Sequence, residues 1–340
     1  MTRLLLTLVA TTLLAICSAN AMDVRGISLA HLHQRGVGYG SDDCRKQLDA
    51  LTGIGANWIA VTEFAYMPAI DKPQLRFGRD PSMLHDDVVT TVADAHRRGI
   101  KVLVKPHLWS RAFGNGKYAG DIEMTSEADW ATWFSAYGDY VVDSAARAQA
   151  AGADAFCLGV ELQKTTHRTQ DWRALIARVR GVFKGALTYA ATHGEWVNIE
   201  FWDDLDCIGI NAYFQLADTA SPDEATVRER WARAYAMIDP VARRFGKPVC
   251  FTELGYTVSS KAAMQPWAYD ESDPDPALQA MLYRVAIDEA SKRDYMVGVF
   301  VWKWFTSDQW HRFEGHDCFA LQEHPLAVEA MLAAWKVFAK

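Results

Sequence analysis

The sequence predicts an α/β fold, a single (β/α)8 TIM barrel. Short apolar or β-branched runs alternate with longer amphipathic segments, the alternation repeats eight times, and no linker or break in composition interrupts it. Eight strand-and-crossover units in a chain of 340 residues suit a closed barrel better than an open doubly wound sheet, which has fewer strands and opens on a glycine-rich turn. Gly36, Gly38 and Gly40 approach such a turn, but Ser41 and Asp42 follow, so the dinucleotide-binding spacing fails.

In chain order, the expected strands cover residues 23 to 30, 57 to 64, 101 to 109, 155 to 162, 186 to 193, 207 to 214, 248 to 256 and 296 to 305. Stop signals precede most of them: Gly99, Gly152, Gly185 and the Gly246-Lys247-Pro248 turn. Trp172, Leu175, Ile176, Val179 and Phe183 share one helical face, as do Val328, Met331, Leu332 and Trp335, and such faces cover a sheet. Only about a dozen residues separate His193 from Cys207, so the fifth crossover is expected to be short or irregular.

Residues 1 to 21 read as a secretory signal: Arg3, an apolar run from Leu4 to Ile16, and the small-residue site Ala19-Asn20-Ala21. The catalytic domain is then expected over 22 to 340, secreted or periplasmic. Cys17 raises the alternative of a lipid anchor, against which Ile16 is the wrong neighbour. The mature cysteines, Cys44, Cys157, Cys207, Cys250 and Cys318, are odd in number, widely spaced and without a CxxC pair, which suits neither a zinc site nor a disulfide scaffold. Cys157, Cys207 and Cys250 lie in strand-like runs and read as small buried hydrophobes. A formal net charge of -7 argues against nucleic acid or an anionic membrane as partner. The 13 Trp either fill a core or line a groove for flat ligands such as sugars.

In a barrel of this kind the ligand site lies at the carboxyl ends of the strands. The polar residues terminating the eight runs are, in order, His31 and His33; Glu63; Lys105 and His107; Glu161; Thr192 and His193; Asn211 and Tyr213; Glu253; and Trp302 and Trp304. Two of these positions put a lone carboxylate at the mouth of an apolar strand, which is costly unless it is used. Glu161 and Glu253 end strands four and seven, nearly opposite each other. Glycoside cleavage needs that pairing of an acid with a second carboxylate. The competing structural reading pairs each with a cation such as Lys105 or Arg111. Tyr213 is placed to hold Glu253 as a nucleophile. Trp302 or Trp304 can floor the sugar at the cleavage point, and Trp109, Trp196, Trp202, Trp267 and Trp310 are candidates for further subsites. His31 and His33 lack an acidic third ligand nearby, so sugar hydroxyls suit them better than a metal. No cofactor is expected.

The runs Cys157-Leu158-Gly159-Val160-Glu161-Leu162, Leu187-Thr188-Tyr189-Ala190-Ala191, Phe201-Trp202-Asp203, Ile208-Gly209-Ile210-Asn211-Ala212-Tyr213-Phe214 and Phe251-Thr252-Glu253-Leu254-Gly255-Tyr256 resemble glycoside hydrolase family 113. The likeness extends from Gly38-Tyr39-Gly40 and Gly55-Ala56-Asn57-Trp58 to Trp302-Lys303-Trp304. It implies a retaining (β/α)8 glycosidase in which Glu161 is the proton donor and later base, Glu253 the nucleophile, and Tyr213 its support. Many clan members carry Asn before the acid/base; here Val160 stands there, so His107, His193 or Asn211 become candidates for the sugar 2-hydroxyl. Members often have Asp where Asn211 stands. The family activity so implied is endo-cleavage of β-1,4-mannan.

The expected function is therefore a secreted β-mannanase working by double displacement on a β-linked polysaccharide or oligosaccharide. The substrate-binding set is His31, Glu63, Lys105, His107, His193, Trp196, Asn211, Trp302 and Trp304. The alternatives are a glycosidase acting on another β-glycan or an exopolysaccharide, and a carbohydrate-binding barrel that cuts nothing.

Overall fold

The structure is a computed structural model that describes residues 23 to 338 apart from 79, 115 and 316. The expected signal segment, with the Cys17 question, lies outside the described residues. Ten strands occur in chain order: β1 (Val24–Ala30), β2 (Trp58–Val61), β3 (Phe64–Met67), β4 (Lys101–Val104), β5 (His107–Ser110), β6 (Ala155–Val160), β7 (Ala186–Ala191), β8 (Ile208–Asn211), β9 (Val249–Leu254) and β10 (Met296–Phe305). Eight of them close a parallel barrel in the order β1-β10-β9-β8-β7-β6-β4-β2. The helices are α1 (Asp42–Gly53), α2 (His85–His96), α3 (Glu127–Ala151), α4 (Thr169–Val182), α5 (Glu224–Phe245), α6 (Pro276–Ser291), the single turn α7 (His311–Glu314) and α8 (Pro325–Phe338). The chain is thus a (β/α)8 barrel, with each expected strand found close to its place.

Strand alternation separates two apolar layers. Ile59, Val61, Val102, Val104, Phe156 and Leu158 face the helices in the large core. Trp58, Ala60, Leu103, Ala155, Cys157, Cys250 and Phe300 form a second cluster, the barrel interior. The helices present the faces the sequence implied: α4 buries Trp172, Leu175, Ile176 and Val179. Capping fixes their ends. The Ser41 hydroxyl accepts the Cys44 N–H at 3.0 Å, and α5 stops at Gly246, whose φ of 61° is the left-handed turn a glycine takes without a Cβ penalty.

Two expected strands are longer in sequence than in the barrel. The runs at 57 to 64 and 101 to 109 each divide, because Pro106 has no N–H to give the ladder. Hydrogen bonds from Lys105 N to Val61 O (2.8 Å) and from His107 N to Glu63 O (2.7 Å) carry the pairing across the break. Beyond it β3 and β5 pair as a small parallel sheet outside the barrel. The fifth crossover is irregular, as its length required: between β7 and β8 lie two 3-10 turns, Trp196–Asn198 and Trp202–Asp204. Trp196, Ile199, Phe201, Trp202 and Leu205, all at most 1% exposed, take the volume a helix would occupy.

Candidate active site

Three of the strands that end at the cleft carry one residue more than a neighbour just before a key side chain. From Cys157 to Val160 β6 spans what β7 spans from Thr188 to Ala190. From Phe251 to Glu253 β9 opposes only Ile210 to Asn211 of β8, and from Val301 to Trp304 β10 opposes Ile27 to Leu29. A bulge of this kind re-aims the side chain that follows it. It turns Glu253 into the barrel mouth, where strict alternation from Cys250 would send it outward. It also separates Trp302 from Trp304, which two positions apart on a regular strand would share a face.

Glu161 and Glu253 line one cavity of about 580 Å³ with Lys117, Tyr118, Thr192, His193, Tyr213, Trp267, Tyr269, Trp302 and Phe319. Their surroundings differ. Lys105, fully buried, places its ammonium 2.5 Å from one Glu253 oxygen, and the Tyr213 hydroxyl donates to the other at 2.9 Å. Burial and the adjacent carboxylates keep the Tyr213 phenol well above its ordinary titration range, so it remains a donor. Glu161 accepts one hydrogen bond, from Asn211 Nδ2 at 3.0 Å. The Thr252 hydroxyl donates to Asn211 Oδ1 at 2.9 Å, which fixes the amide with its NH2 toward Glu161. Burial first, and the Glu253 charge second, push the Glu161 carboxyl up to about 7 against the opposing pull of Asn211 and Lys105. One carboxyl is disposed to carry a proton near neutrality and the other is met by two donors, the division of labour glycoside cleavage requires.

Glu161 also has a left-handed backbone, φ 54°. For a residue with a Cβ this costs about 1 to 2 kcal/mol. Its N–H closes β6 onto Ala190 O at 2.8 Å, and the next amide, Leu162 N–H, is taken by the Tyr189 hydroxyl at 2.7 Å.

The remaining expected residues divide. His193 lines the cavity with its ring parallel to Trp267 at 5.3 Å, and burial lowers its pKa, keeping it neutral. His107 stacks on Trp302 at 6.4 Å, and its Nε2 is buried without a hydrogen-bond partner. Four candidates are displaced from the cleft. Trp196 is fully buried under the fifth crossover with its Nε1–H on His193 O, so it has no face to offer a sugar. Trp304 points to the helix layer and donates to Gln47 at 2.8 Å. Glu63 is tied to Ser144 and Arg147 beside a separate cavity of about 220 Å³. His31 is buried, accepting the Tyr39 N–H on Nδ1 at 3.0 Å, and a Cβ on Gly38 would stand 2.1 Å from its ring. His33 instead pairs with Asp80.

Of the loop tryptophans, Trp202 and Trp310 are core, Trp109 is exposed beside Tyr66, and Trp267 lines the cleft. The cation reading is met in part: Lys105, fully buried and outside the cleft lining, does pair with Glu253. Among the described residues Cys44, Cys157, Cys207, Cys250 and Cys318 are all buried and none is in a disulfide. Among the described residues no three His, Cys, Asp or Glu side chains gather to hold a metal ion, and no helix is long and apolar enough to cross a membrane. The sequence reading passed over Glu195, which is 3% exposed and bonded to Tyr189. Thr192-His193-Gly194-Glu195 has the spacing of a helix capping box, a signal that could have drawn attention to it.

The solved structures most similar to this fold include a β-mannanase from Alicyclobacillus acidocaldarius in complex with ManMIm, with TM-score 0.81, 25% identity, and coverage of 94% of this chain and 100% of that one. A second β-1,4-mannanase complex of the same family has TM-score 0.79 and 23% identity over 92% and 98% of the two chains. Fungal β-1,4-galactanases share the fold more distantly, with TM-score 0.53 and 14% identity over 88% and 94%. No curated protein matches the chain. The sequence pattern of Glycoside Hydrolase Family 113 matches residues 27–319, nearly the whole barrel with both glutamates, and the chain therefore belongs to that family and is an O-glycosyl hydrolase.

Proposed function

We propose that the protein is a secreted retaining β-mannanase that cleaves β-1,4-linked mannan or its oligosaccharides with Glu161 as acid/base and Glu253 as nucleophile. The observation that carries the reading is the opposed setting of two carboxyls in one cleft, Glu253 between Lys105 and Tyr213, and Glu161 pushed up to about 7 by burial and by Glu253. In the first step a Glu253 oxygen bonds to the anomeric carbon while the bond to the glycosidic oxygen breaks, and that oxygen takes the Glu161 proton. In the second, Glu161 removes a proton from water, the water oxygen bonds to the anomeric carbon, and the ester to Glu253 breaks. Two inversions give net retention.

Trp302 supplies a floor and His193 and Trp267 a second platform, while His107 stacks on Trp302 from outside the cleft lining. The mannan assignment is supported by the likeness to β-mannanases, one of them in complex with ManMIm. Secretion is supported by Arg3, the apolar run and Ala19-Asn20-Ala21.

The test is reducing-sugar release from β-mannan, glucomannan, xylan and β-glucan by the wild type, Glu161→Ala and Glu253→Ala, with the anomer of the first product read by NMR. Cleavage of mannan to a β-anomer, lost in both variants, is expected. Release from xylan or β-glucan alone overturns the sugar, and a first-formed α-anomer overturns the mechanism.

A further inference from the structure

Glu195 lies one strand away from the acid/base and is connected to it by a short chain of hydrogen bonds. Its Oε1 accepts from the Tyr189 hydroxyl at 2.6 Å. That same hydroxyl accepts the Leu162 N–H at 2.7 Å, the first amide after Glu161. The other oxygen, Oε2, accepts the Thr192 N–H at 2.9 Å, while Thr192 Oγ1 accepts the Glu195 N–H at 3.2 Å. The second pair is a reciprocal capping box, and capping by itself would explain a glutamate here. Capping does not explain why the carboxylate is 3% exposed, nor why its second oxygen is given to a tyrosine that grips the backbone beside the acid/base. The gripped backbone is the left-handed turn at Glu161, φ 54°, which relaxes unless its surroundings hold it.

We propose that Glu195 is a positioning residue for Glu161: through the Tyr189 hydroxyl it fixes the strained turn that aims the proton donor. The inference rests on the reading of Glu161 as acid/base.

The charges around the pair are few. Glu195 is faced by Tyr189 from β7, by Thr192 in its own turn, by Glu161 from the end of β6 and by Tyr118 from the loop after β5. Glu161 is faced by Glu253 and Lys105 across the barrel, by Asn211 from β8, and by Tyr118 and Tyr213, both of which respond to its charge. Burial is the main cause that pushes the Glu195 carboxyl up to about 7, with Glu161 adding to it.

The experiment compares the wild type, Glu195→Gln and Tyr189→Phe by kcat/KM against pH on two substrates. One is the oligosaccharide that the wild type cleaves best; the other is the corresponding nitrophenyl glycoside, whose leaving group departs without a proton. Thermal melts accompany both variants, and Tyr189→Phe keeps the ring packing should Glu195→Gln not fold. Expected is a loss of about tenfold or more on the oligosaccharide and about twofold or less on the nitrophenyl glycoside. Equal losses on both substrates would make Glu195 a capping residue only and overturn the inference. A wild type that prefers another β-glycan overturns the mannan assignment and leaves this comparison intact.

Discussion

Lys105, just past the end of β4, and Glu253, on β9, come from opposite sides of the barrel and meet at 2.5 Å with the lysine fully buried. A buried cation of this kind is held by what surrounds it: Lys105 also donates to Thr252 O at 3.3 Å and stands 5.5 Å over the Trp302 ring. The same ammonium therefore touches the carboxylate read as the nucleophile and the indole read as the sugar floor. A charge fixed there before substrate arrives needs no rearrangement during the reaction.

Lys105→Met should accordingly impair both folding and turnover. Removing one partner of a buried ion pair leaves the other charge uncompensated and costs about 3 to 5 kcal/mol. Urea unfolding should show that loss for Lys105→Met and a much smaller one for Lys105→Met combined with Glu253→Gln. A double variant no more stable than the single one would contradict the pairing.

Tyr213→Phe removes one donor to Glu253 and little volume. A hydrogen bond to a charged group is worth about 1.5 to 3 kcal/mol, so kcat should fall by about ten- to a hundredfold with KM nearly unchanged. A change confined to KM would instead make Tyr213 a sugar-binding group.

On the proposed mechanism activity should decline as pH rises through about 7, because the pKa of Glu161, read as the proton donor, has been brought there by burial and the Glu253 charge. The Asn211 amide pulls the other way, since it bonds the ionised form. Asn211→Ala should move the alkaline limb of kcat/KM upward, at some cost in rate. A downward shift would place the amide on the protonated acid.

The stability profile follows from the same carboxyls. Glu161 and Glu195 both have folded-state pKa values raised from 4.5 to about 7. The folded state then binds protons more tightly, so their contribution is fully present below about 4.5 and is lost as pH rises through 7. For Glu195, 3% exposed, the difference is at most roughly 3 kcal/mol. Glu195→Gln should flatten the fall in Tm between pH 5 and pH 8, as differential scanning calorimetry would read it.

Two tryptophans that look alike in sequence should part company on substitution. Trp267→Ala removes a half-exposed cleft ring and should raise KM for oligosaccharides with little change in Tm. Trp196→Ala opens a cavity in the core and should cost about 3 to 5 kcal/mol of stability.

These tryptophans also mark where the sequence stops being readable. Strands buried on both faces are written as unbroken apolar runs, so β6 and β9 and the glutamates that end their runs stood out, as did Asn211, Tyr213 and Lys105 at neighbouring strand ends. The short span between His193 and Cys207 excluded a full helix there. The direction of a side chain after a bulge was not legible, because one extra residue between Val301 and Trp304 is visible only against β1. For that reason Trp302 and Trp304 could not be told apart. Trp196 misled because a missing helix must be replaced by something large, and a polar-looking turn supplied it. Glu195 was hidden because its link to Glu161 runs through the Tyr189 hydroxyl to the Leu162 amide at the end of β6, a contact between two strands that sequence spacing does not show.

The small sheet of β3 and β5 prolongs β2 and β4 beyond the barrel rim, and Tyr66 exchanges two further backbone hydrogen bonds with Arg76, at 2.8 and 2.9 Å. Main-chain pairing thus continues on this flank past the barrel rim. On the other flank residues 257 to 273 are built of turns and carry Trp267 and Tyr269, which line the cleft. Those two rings therefore sit on turns outside the barrel ladder, and substitutions among residues 257 to 273 should alter the cleft while leaving the strand register intact.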